Sequence, residues 1–98
     1  MYAASNSPLR QHEMDLTDIQ HYAIQARVAA ILGAREFDRV FAGTRFAEAD
    51  GALLYVYAKD EQTAAEIEDD FSLLIADIAS KVLQQEIDVV VVLPKVLQ

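Results

Sequence analysis

The side chains able to do chemistry are few, and their spacing keeps them apart. The two histidines, His12 and His21, do not stand at a spacing that would bring both onto one metal ion. His12 stands near Glu13 and Asp15, a cluster that reads as a solvated loop. His21, alone on a helical stretch, reads as a surface or half-buried residue rather than a general base. Glu68, Asp69 and Asp70 are consecutive. On a helix such residues point in different directions and cannot converge on one cation. The chain has no cysteine, which excludes thiolate chemistry, cysteine metal sites and a disulfide framework. Neither phosphate-binding glycine motif occurs, and no serine sits in a nucleophile elbow. The residues therefore predict no catalytic, metal or cofactor site, and a protein that is not an enzyme.

Composition narrows the classes further. At 98 residues there is room for one domain, and an apolar fraction of 53% argues against disorder over most of it. The net charge of −8 makes nucleic acid an unexpected direct ligand, because that affinity comes largely from cations neutralising phosphates. Arg27, Arg35, Arg39 and Arg45 are the one cluster of positive sign and read as a solvated helix face. No apolar run approaches the roughly 20 residues that span a bilayer, and the N-terminus lacks the apolar core of a signal peptide. A cytoplasmic protein is expected.

The elements follow from periodicity and punctuation. Residues 1–14, with Ser5, Asn6, Ser7 and Pro8, show no period and read as a flexible leader before a compact domain over 15–98. Thr17 and Gln20 make a capping box for a first helix. Ile24, Val28 and Ile31 form one apolar stripe on it, and Ile19, Ala23, Ala26 and Ala30 a second. Gly33 is its expected stop. Residues 35–42 read as a short helix with Phe37, Val40 and Phe41 on one face. Residues 44–49 and 52–59 read as strands, joined by a type I′ turn at Asp50–Gly51. Leu53, Tyr55 and Tyr57 alternate with Leu54, Val56 and Ala58, so both faces of the second strand are apolar. Asp60 caps a long helix, with a second capping box at Thr63 and Glu66; Ile67, Phe71, Leu74, Ile75, Ile78 and Val82 make its core stripe. Residues 87–93 read as a strand apolar on both faces, hence central or covered twice. The expectation is an α+β fold of order α-α-β-β-α-β, a three-stranded sheet with its helices on one face. The other face then exposes Tyr55 and Tyr57, a surface for a protein partner or for homo-oligomer formation.

Residues 36–93 resemble the N-terminal domain (domain I) of the bacterial replication initiator DnaA. The resemblance rests on Glu36-Phe37, the strand RFAEAD, Asp50-Gly51, the strand LLYVYA, Lys59-Asp60, the helix through Phe71, and IDVVVVL. It implies a KH-like fold without catalysis, a docking hub for the replicative helicase and regulators, and self-association. By the resemblance, the docking positions are His21, Glu36 and Gln62. The chain departs from that family in having no tryptophan, with Val40 where a core Trp is common, and in lacking exposed aromatics at His21 and Gln62.

Two alternatives stand beside it. Gly43-Thr44-Arg45 is similar to the start of a minimal nucleotidyltransferase, but Leu53-Leu54-Tyr55 lacks the carboxylates that two-metal transfer needs. That reading implies an inactive, antitoxin-type partner of another chain and a strand over residues 38–42. The other alternative is a KH-like scaffold module with no link to replication.

Overall fold

The computed structural model describes residues 13–95. Its order is β1 (Glu13–Asp15), α1 (Asp18–Leu32), α2 (Ala34–Phe41), β2 (Arg45–Asp50), β3 (Leu53–Ala58), α3 (Glu61–Leu83) and β4 (Val89–Pro94). The class is α+β, as expected, with a four-stranded sheet in the order β1-β2-β3-β4. The first two pairings are antiparallel and β3–β4 is parallel.

The strand β1 corrects the expected three-stranded sheet and the boundary of the leader, the rest of which lies outside the described residues. Three residues are too few to show a period, and Glu-Met-Asp is a poor strand former. The strand exists because β2 offers an edge to pair with, a condition set by tertiary structure.

Thr17 caps α1 as predicted: its hydroxyl accepts the Gln20 N–H at 3.1 Å while Gln20 Oε1 accepts the Thr17 N–H at 2.9 Å. Ile24 and Val28 are fully buried. The second stripe is not, since Ile19 is 81% exposed, and Ile31 of the first stripe is also exposed. Asp60 caps α3 by accepting the Thr63 N–H at 2.7 Å. The expected second capping box is absent: Thr63 is buried, and Glu66 instead accepts from Arg39.

The hairpin turn differs from the expected type. Asp50 pairs with Leu53, so the loop is Gly51–Ala52. Gly51 has φ of +60° and Ala52 has no positive φ, which excludes a type I′ turn and places the glycine where a type II′ turn needs it.

The largest correction concerns β4. It lies at the sheet edge, not in the centre, with Pro94 inside it. The N–H of Lys95 reaches Ala58 O at 2.8 Å, so odd-numbered residues bond to β3 and Pro94 turns its missing N–H outward, which an edge strand tolerates. Ser80 Oγ accepts the Ile87 N–H at 3.0 Å and Gln85 Nε2 donates to Gly51 O at 3.1 Å. These bonds set β4 in register as the chain leaves α3.

The core lies between the helices and one sheet face. Phe46, Ala49, Leu54, Val56, Ala58, Val90 and Val92 are buried from the sheet side. Ile24, Val28, Val40, Phe41, Ile67 and Ile75 meet them from the helices.

Candidate docking surface

Alternation decides what the opposite, outer face carries. Side chains of directly paired residues share a face. Leu53 pairs with Val89, Tyr55 with Val91 and Tyr57 with Leu93. These six are half-buried or exposed, whereas Leu54, Val56, Val90 and Val92 between them are buried. The outer side of β3 and β4 is thus an apolar stripe that includes both predicted tyrosines.

The neighbouring strands are different. Glu48 pairs with Tyr55 and Asp50 with Leu53, so both carboxylates flank the stripe. Asp15 of β1 lies directly opposite Glu48. Arg45, opposite Tyr57, is held by Asp18 at 2.9 Å. Sequence reasoning missed this acidic strip because only strand register brings Asp15 to Glu48. The alternation of Glu48 and Asp50 about a buried Ala49 was the one local sign of it.

The other sequence-predicted positions divide. Glu36 accepts from Arg39 at 2.8 Å, and Arg39 also reaches Glu66 at 2.7 Å, joining α2 to α3. Gln62 is exposed one turn before Glu66, and residues four apart on a helix are neighbours. Glu36 and Gln62 therefore share one rim. The Arg39 hydrogen bond holds the Glu36 carboxyl below its usual pKa, and both carboxylates push the Arg39 guanidinium above its own. These groups are solvated, so the network aligns the two helices more than it stabilises them.

His21 is not on that rim. It is buried, and its Nδ1 accepts the Phe46 backbone N–H at 3.2 Å, which leaves the proton on Nε2. The ring lies 5.7 Å from that of Phe46. Burial lowers its pKa and nearby Arg45 adds to this, while Asp18 opposes it. It is a structural link between α1 and β2 and offers a partner almost no surface.

An open groove of about 270 Å³ lies between α1 and α3, lined by Arg27, Ala30, Ile31, Asp77, Ile78 and Lys81. Lys81 and Asp77 are paired across 3.2 Å there, and none of the predicted site residues borders it. Among the described residues no three His, Asp or Glu side chains are placed to hold a metal ion, and no helix is long and apolar enough to cross a membrane. No family model matches the chain, and no curated protein matches it.

Proposed function

We propose that this chain is a non-catalytic docking module of the kind implied by its resemblance to the replication initiator's N-terminal domain. On that reading it is a KH-like cytoplasmic domain, with a helicase or replication regulator as its partner. The observation that carries the docking reading is the apolar stripe of Tyr55, Tyr57, Leu53, Val89, Val91 and Leu93, which no described element covers while the reverse side of the same strands is buried. A photo-crosslinking residue at Tyr55 in the full chain, expressed in its own cells, should yield one dominant protein adduct. The same group at Leu73, which is 84% exposed on α3, should not. Equal, diffuse labelling from both positions would remove the sheet face as a docking surface.

The helical Ala34–Phe41 segment also supports this reading over the transferase-like one, which expects a strand at residues 38–42. Thr44 is buried and so is not presented to a phosphate, and Arg45 is ion-paired with Asp18.

Self-association has a separate surface available. Ile19, Tyr22, Ala26 and Ala30 are exposed along one side of α1. Asp18 is neutralised by Arg45 and Arg27 adds a positive charge, so this side lacks the negative excess by which an acidic chain repels a second copy. Sedimentation at high concentration should show a dimer that Ile19→Glu weakens; a monomer throughout the range sinks this part of the reading.

A further inference from the structure

We propose that the outer sheet face takes an amphipathic helix with a basic flank, supplied by another protein. This rests on the docking reading above and names the chemistry of the partner.

The dimensions fit a helix. Six-residue strands are roughly 20 Å long, and two adjacent strands present a stripe roughly 10 Å wide. That is the width of one helix, and the length corresponds to about 13 helical residues. The sheet already has helices on its inner face. A helix laid on the outer face completes a three-layer packing in which both sides of β3 and β4 are buried. The unbroken valine run in β4 suits a strand covered twice, and the chain's own described elements cover it once.

Charge selects the kind of helix. Asp15, Glu48 and Asp50 form a strip along one side of the stripe, and among the described residues none of them has a Lys or Arg within ion-pair distance. Asp15 and Glu48 are directly opposite each other, an arrangement of like charges that costs stability. Arg45, which shares their face by register, is taken by Asp18. An apolar helix without cations would desolvate carboxylates and leave them uncompensated. A row of Lys or Arg on the flank over β1 and β2 neutralises them. A second copy of this chain is a poor occupant, because its own outer face brings more carboxylates and the net charge is −8.

The test uses the full chain and two synthetic helical peptides of about 14 residues, one with leucines on a face and lysines beside them, the other with glutamates for the lysines. The Leu/Lys peptide should bind, less tightly as salt rises, and the Leu/Glu peptide should not. Joint E48K and D50K substitution, at half-buried positions outside the core, should weaken the Leu/Lys peptide about tenfold and admit the Leu/Glu peptide. Tyr55→Glu should abolish binding of the Leu/Lys peptide to the otherwise unaltered chain. If both peptides bind the native chain equally and both are lost in Tyr55→Glu, the face docks helices without regard to charge; the docking reading stands and the basic partner is overturned. If E48K with D50K leaves Leu/Lys binding unchanged, the peptide sits on the acidic start of α3 and the proposal fails. If the free chain is a dimer that Tyr55→Glu dissociates, the face belongs to a second copy and the proposal also fails. Circular dichroism of each variant separates lost binding from lost folding.

Discussion

Phe41→Ala should cost about 3–5 kcal/mol, the usual range for truncating a buried phenylalanine. Phe41 has no exposed surface. Its ring lies 5.7 Å from Phe37 on the same helix, 6.2 Å from Phe46 on β2 and 5.5 Å, edge-on, from Phe71 on α3. One side chain thus ties three elements together. The helix α2 has eight residues, too few to persist without packing, and Val40 is its one other fully buried side chain. A domain of this size has roughly 5–15 kcal/mol in total, so the loss takes a large part of it and lowers the melting temperature by about 15–30 °C. Glu36 would leave the rim it shares with Gln62 as α2 loosens. Urea unfolding measures the effect, with Leu73→Ala as the exposed control expected within about 0.5 kcal/mol of the native chain. A loss below about 1 kcal/mol for Phe41→Ala would show that the aromatic cluster does not hold α2.

Mild acid should weaken the fold through His21. In the unfolded chain this imidazole takes a proton near its ordinary pKa of 6.5, whereas burial and Arg45 lower its pKa in the fold. As pH falls below 6.5 the unfolded state binds the proton first, so stability falls with pH until the folded site protonates as well. At that point Nδ1 becomes a donor facing the Phe46 N–H, and its bond across the α1–β2 seam is lost. The carboxylates act in a different window. The Thr63 N–H lowers the Asp60 pKa and Arg39 lowers that of Glu36, so their contributions are complete above their ordinary values of 3.8 and 4.5 and fade only below them. The urea midpoint should therefore drop between about pH 7 and pH 5, before either carboxylate titrates. The drop should disappear in His21→Gln. A drop of equal size in that variant would assign the effect to other groups.

Much of the fold was legible because local rules and tertiary packing agree. The Thr17 and Asp60 caps, the stripe through Ile67, Ile75 and Ile78, and the alternation in β3 all survive into the structure. The errors fall where burial depends on what is nearby. Ile19 and Ile31 have the spacing of core residues but no described element packs over them. The valine run of β4 reads as central, yet the strand sits at the edge. Nothing in apolar periodicity distinguishes a strand covered by its own chain from one half-covered, whereas the missing N–H of Pro94 suits only a strand with a free edge there. His21, placed on a docking face by resemblance, is interior because Phe46 N–H needs an acceptor, a requirement visible only across elements.

The candidate surface shows the same division. That β3 is apolar on both faces follows from residue order alone, because side chains in a strand alternate with a period of two. Residue order also shows that no cysteine or phosphate-binding glycine motif is available. Which face stays open, and what flanks it, depends on strand pairing and on where the helices pack. The pairing of β1 with β2 sets Asp15 against Glu48, and the parallel addition of β4 sets Val91 beside Tyr55. Strand pairing joins residues far apart in the chain through backbone hydrogen bonds that carry no side-chain signature, so the acidic border of the stripe could be found only in three dimensions.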